Sequence, residues 1–342
     1  MGGSNNNVKG SENLVLGDKN SLINANNNRV NGSSNTISNG NNNLVQGSKN
    51  LLQGSDNKLL GDSSTITGNK NEVMGSNVII NGSQNLMKGQ NSSIIGSQNI
   101  VLGSNTIILG SNNNNTGSSN QLVGDQNNAA GDQNIIKGRV NNVIGFNNNI
   151  TGDINTLLGD GNSVNGNMNK AMGNNNNING NVNILKGNDN TISGSQNLLQ
   201  GNEVKINGSY NAVSGNKNTV NGNENTAIGN ENKIDGSKNQ LLGSSNTVAG
   251  SQNILEGDRN NLKGSMNTVS GSSNKLSGDS NMVKGGSNTL SGSFNGISGF
   301  DNQLMGNFNL LQGDSNKVKG DANSVNGNLN QLIGSNNSLT GN

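Results

Sequence analysis

A glycine at every seventh position constrains this chain more than any other feature. From Gly47 to Gly341 one unit, Gly-x-x-Asn-x-aliphatic-x, runs forty-two times without an insertion. Gly194-Ser195-Gln196-Asn197-Leu198-Leu199-Gln200 is a typical copy. We label the seven positions a to g, with Gly at a, Asn at d and the aliphatic residue at f. A fixed short period means an array, which overrides the two ordinary domains that 342 residues would otherwise suggest. A Gly and an Asn in every seven residues strongly oppose helix. A heptad coiled coil needs two apolar positions per seven, and this unit has one.

The pattern begins at Gly3, with units starting at 3, 10, 17, 24, 32 and 39 and then regularly from 47. Forty-eight units result, and Gly341-Asn342 opens a further one. Position a is Gly in all but two, Asn24 and Asn39, whose units are also the only ones with eight residues. The five d positions that are not Asn are Ser64, Val78, Ser92, Thr106 and Val204, and the gaps between them are multiples of fourteen. The four f positions without a large aliphatic are Asn115, Ala129, Ala171 and Ala227, again fourteen or its multiples apart but in the alternate units. Alternate units therefore occupy different environments: column A (Gly47, Gly61 and onward) and column B (Gly54, Gly68 and onward).

The predicted fold is all-β: a two-sheeted β-solenoid (β-roll) of fourteen residues per coil and about 24 coils, each coil two heptads. We expect one continuous solenoid over 1–342, strictly heptad over 47–341, with two one-residue insertions within 24–46. Residues e, f and g form a short strand with f inward and e and g outward. Gly at a permits a positive-φ turn. Asn at d tolerates left-handed conformations, and its amide donates and accepts, so stacked amides form ladders along the axis. Asn57, Asn71, Asn85 and Asn99, and Asn197, Asn211, Asn225 and Asn239, are such ladders.

Composition narrows the function. Apolar residues make up 27% and aromatics 1%, too little for a conventional core. The chain has no Cys and no His, which removes disulfides, thiol nucleophiles and the commonest general base and metal ligands. No pair of carboxylates stacks as an acid/base couple, so the chain reads as non-enzymatic, with no cofactor and no metal. Gly159-Asp160-Gly161-Asn162 faintly resembles a calcium loop, but it lacks the repeated nonapeptide pattern. Gly-rich spacing without Gly-Lys-Ser/Thr is no phosphate loop. A net charge of +1 and few aromatics argue against nucleic acid. No apolar run spans a membrane. No signal peptide is visible after Met1, and an extracellular location is favoured. Asn31, Asn81 and Asn207 begin formal glycosylation sequons, which arise by chance in such a composition.

Two surfaces stand out. Column B carries an outward apolar strip at c, comprising Val140, Ile154, Met168 and Val182, then Tyr210, Met266, Phe294 and Phe308. Outward e and g residues such as Leu60, Ile100, Leu158 and Leu198 widen it. Such a strip marks an interface. Column A turns polar in its second half, with Thr191, Lys205, Thr219, Lys233 and Thr247. Neither end of the pattern carries a cap, and open terminal strands template further pairing. The reading from residues alone is a structural rod that self-assembles into a fibre, end to end and through column B.

The unit x-x-Asn-x-Val-x-Gly resembles the repeat of the grass ice-recrystallisation-inhibition (antifreeze) proteins. Gly187–Ser193 (Gly-Asn-Asp-Asn-Thr-Ile-Ser) and Gly264–Ser270 (Gly-Ser-Met-Asn-Thr-Val-Ser) carry the likeness, which covers essentially the whole chain. The resemblance implies a left-handed two-sheeted β-roll of fourteen to fifteen residues per coil with internal Asn ladders. It also implies ice as the partner, bound through a flat face that maps onto e and g. Thr65-x-Thr67 is the one Thr-x-Thr pair on those positions. A weaker resemblance is to the β-roll heads of trimeric autotransporter adhesins, which would make the chain a surface display rod.

Overall fold

A computed structural model of the chain describes residues 1–341. Among them run forty-eight three-residue strands, numbered β1 (Asn7–Lys9) to β48 (Ser338–Thr340) in chain order. They fall in two compact units, Met1–Asn169 and Lys170–Asn342. Each unit is a two-sheeted parallel β-solenoid with two strands per coil. In the first, β7 (Leu51–Gln53) lies parallel to β9 (Thr65–Thr67), with Leu52 opposite Ile66. In the second, β28 (Leu198–Gln200) lies parallel to β30 (Ala212–Ser214), with Leu199 opposite Val213. Residues fourteen apart are vertical neighbours, as the spacing of the exceptions requires. Within each unit, odd-numbered strands build the column A sheet and even-numbered strands the column B sheet.

The core is one side chain deep per sheet. Strands show an exposed–buried–exposed pattern, as in β28, with Leu199 buried and Leu198 and Gln200 outside. Burying such a side chain contributes roughly 1.5–3 kcal/mol, repeated at every coil. Leu52, Leu59, Ile66 and Val73 are fully inaccessible.

Asparagine at d is specified by hydrogen-bond arithmetic. The backbone N–H and Nδ2 of Asn71 both donate to Oδ1 of Asn57, at 2.9 and 3.0 Å. Nδ2 also donates to the Gly82 carbonyl at 2.8 Å. The buried amide thereby spends its oxygen twice and both its hydrogens, which Ser, Asp or Leu cannot do. The same pattern links Asn85 and Asn99 below it. In the second unit it links Asn197, Asn211, Asn225 and Asn239.

One expectation is corrected. The left-handed residue is not d but c: Lys49, Asp56 and Ser63 have φ of 61°, 59° and 56°. Among the described residues no Asn at d has positive φ. The left-handed step at c is what turns the following d side chain into the core. Gly at a is required twice over. Gly54 has φ 122°, and a Cβ there would collide with the Gly68 carbonyl oxygen of the next coil.

The two eight-residue units stack on each other. Asn24 and Asn39 take the turn with φ of 51° and 49°, and Asn24 Nδ2 donates to Asn39 Oδ1 at 3.1 Å. The extra residues, Ala25 and Gly40, are buried. Register here is fifteen, with Arg29 opposite Leu44.

A second ladder runs outside the first, at b. The Asn188 N–H donates to Asn202 Oδ1 at 2.7 Å, and the Ser195 N–H to Ser209 Oγ at 3.0 Å. All but five b residues are Ser, Asp or Asn, the short acceptors this bond needs; the exceptions are Gln90, Arg139, Phe146, Gly286 and Phe300. Near the start of the chain, Asp18 fills this role. Its carboxyl is held below the usual range, first by the Ser4 backbone N–H and then by the Ser4 hydroxyl.

Candidate functional site

Each unit presents two strand faces, made by e and g, and two turn edges, made by b and c. The core uses d and f, so chemistry is left to these surfaces. Among the described residues no three His, Cys, Asp or Glu side chains gather to hold a metal.

The column A face of the first unit is free of charge over a long run. From β3 (Ser21–Ile23) to β17 (Gln121–Val123), eight column A strands present sixteen outward residues, and none is Asp, Glu, Lys or Arg. Thr36 and Ser38, Leu51 and Gln53, Thr65 and Thr67, Ile79 and Asn81, Ser93 and Ile95, and Ile107 and Leu109 follow one another in register. The column B face of the same coils carries Arg29, Lys58, Glu72 and Lys88, with Lys58 Nζ 2.9 Å from Glu72 Oε1. The parallel ladder holds the uncharged rungs about 4.8 Å apart on a straight rank. The sequence carries this signal at e and g only as an absence of charge over sixteen positions, which no single residue displays.

The second unit differs. Its column A face begins with short polar rungs, Asn177 and Asn179 and then Thr191 and Ser193. Lysines then enter, at Lys205, Lys233, Lys263, Lys275, Lys317 and Lys319. The g rank there is fixed by side-chain bonds, Asn207 to Asn221 at 3.1 Å and Asn221 to Asp235 at 3.0 Å.

The apolar strip at c lies on the column B turn edge and is solvent-exposed throughout, from 40% at Val182 to 64% at Phe308. It is not one strip. In the first unit Val140, Ile154 and Met168 occupy consecutive coils. In the second unit Gln196 stands between Val182 and Tyr210, and Glu224 and Lys238 pair at 3.9 Å before Met266 is reached. Phe294 and Phe308 then stack, ring centroids 5.1 Å apart and nearly coplanar in tilt at 2°. Val140, Ile154 and Val182 are β-branched residues at φ of 60°, 62° and 59°, a conformation that costs such a side chain roughly 1–2 kcal/mol.

Comparison with known proteins agrees with this architecture. The family model described as grass antifreeze beta roll matches residues 1–96, 76–152, 140–229 and 214–299. A search of curated proteins returns no match. With one Asn ladder per column, a glycine-turned coil and a family match spanning most of its length, the chain belongs to the grass antifreeze β-roll family.

Proposed function

We propose that this protein binds ice, through the column A face of the first unit. The observation that carries the reading is the charge-free run from Ser21 to Val123 on that face. An ammonium or carboxylate holds its own hydration shell at a large free-energy advantage and will not surrender it to a lattice. Short hydroxyl, amide and aliphatic side chains impose no such shell. Thr and Ile are also stiff at χ1, so they lose little entropy when water orders against them. Parallel rungs on a common repeat supply the periodic template. Family membership supports the same reading.

The test places charge on the face. Lys at Thr65, Ile79 and Ile107 together should reduce inhibition of ice recrystallisation severely. The same load at Leu60, Leu86 and Leu102 on column B should leave it near wild type. Equal activity of the two triple variants would remove the reading.

A second reading, self-association through the column B turn edge, is supported by the strained, exposed Val140 and Ile154 and by the Phe294–Phe308 stack. Strained side chains that expose apolar surface suit an interface better than they suit water. Ser at Val140, Ile154 and Met168, the consecutive residues of the first unit, should lower any association that high salt does not weaken. Unchanged association would exclude the strip.

A further inference from the structure

In the second unit, charge is sorted by position. On its strand faces stand nine lysines against two acids, Asp235 and Glu256. On its turn edges stand nine acids against three bases, Lys217, Lys238 and Arg259. The sorting is sharpest on column A. Its face holds Lys205, Lys233, Lys263, Lys275, Lys317 and Lys319 with one acid. Its edge holds Asp189, Glu203, Glu231, Asp258, Asp301 and Asp314 with two bases. Glu203 and Lys205 are two residues apart, as are Glu231 and Lys233, yet neither pair is bridged. Position c projects from the edge and position e from the face, so neighbours in sequence point apart. Among the described residues none of the six face lysines is in an ion pair.

We propose that this unit docks a second copy of the chain, the lysine face of one molecule against the acidic column A edge of the other. Two features single out a second copy. The charges are complementary in sign, and the chain as a whole is close to neutral at +1, so no net repulsion opposes approach. The ranks are also commensurate. Lys205 and Lys233 are separated by two coils, and so are Glu203 and Glu231, because both ranks ride the same ladder. A second copy meets Lys205 and Lys233 with Glu203 and Glu231 at the same two-coil interval, and Lys217, between the two acids, falls opposite the uncharged Thr219. A nucleic acid is disfavoured, because the face offers no arginine fork and no stacking aromatic. The contact joins unlike surfaces, so it is heterologous and propagates.

The test uses the full chain and sedimentation velocity. Self-association should be present at about 0.01 M salt and lost near 1 M, as the Debye length falls from about 30 Å to about 3 Å. A face variant, Lys205→Glu with Lys233→Glu, should associate about tenfold or more weakly, since surface pairs are individually weak but act together here. An edge variant, Glu203→Lys with Glu231→Lys, should do the same. Mixing the two variants should restore association, because the reversed face now fits the reversed edge. Circular dichroism checks that both variants keep the β signal. Three outcomes would overturn the proposal: no association at low salt, association that survives high salt and so belongs to the apolar edge, or no restoration on mixing. Inhibition of ice recrystallisation by either variant is a separate readout, because both ranks lie in the second unit.

Discussion

Asn115 stands at f, where neighbouring coils have an aliphatic, and its amide is fully buried. The reason lies across the core. The column A ladder lapses at Ser64, Val78, Ser92 and Thr106, so Asn120, the first Asn to follow, has no Oδ1 beneath it. Asn115 supplies one, accepting from Asn120 Nδ2 at 2.8 Å and donating to Thr106 Oγ1 at 3.3 Å and the Gly117 carbonyl at 2.8 Å. Two exceptions that look independent in the sequence are one repair. We expect Asn115→Leu to destabilise the fold by about 1–3 kcal/mol despite adding apolar volume, because it strands a buried donor. Chemical denaturation measures it, and a neutral or stabilising result would contradict the repair. The opposite sign is expected at c. Val140→Asn and Ile154→Asn should each stabilise by about 1 kcal/mol, since Asn accepts the left-handed conformation that β-branching resists. An unchanged melting midpoint in both would show that the strain is relieved elsewhere. Neither effect is legible from residue type alone, because each depends on which residue lies one coil away.

At the scale of the strand and turn, the two ladders differ in what they protect. The d ladder is buried and satisfies backbone and side chain together, while the b ladder is open to water. Asn225→Ala should leave the Asn239 backbone N–H and Nδ2 without their 3.0 Å acceptor. The expected cost is about 1–3 kcal/mol for each group left unpaired, with faster hydrogen exchange at the Asn239 amide. Ser237→Ala, at b, should cost well under that, because water replaces the lost acceptor. Equal costs would mean that burial is not what gives the inner ladder its weight. The inner ladder could be read from sequence because its exceptions repeat at fourteen and its Asn is otherwise unvarying. The outer ladder could not, because Ser, Asn and Asp are what any solvated turn would use. Residue type points to d as the left-handed position for the same reason: c varies freely, so its shared backbone conformation leaves no trace in composition.

At the scale of the molecule, the architecture was legible and the candidate surface was only partly so. A fourteen-residue period with inward f and d leaves few alternatives to a two-sheeted coil. Surfaces are chosen by contrast between faces, and that contrast appears only once coils are stacked. The column B strip drew the eye because Val140, Ile154 and Met168 are conspicuous, yet Gln196, Glu224 and Lys238 interrupt it in the second unit. The charge-free column A face is made of Thr, Ser, Asn, Gln, Ile, Leu and Val, and its distinction is what it lacks.

Partition of the protein into a slowly growing ice front tests the central claim most directly, since it reads adsorption without crystal-growth kinetics in between. Wild type and the chain with lysine at Leu60, Leu86 and Leu102 should both be enriched in the ice fraction. The chain with lysine at Thr65, Ile79 and Ile107 should be excluded into the liquid. Exclusion of wild type, or equal enrichment of all three, would contradict ice binding by the uncharged column A face.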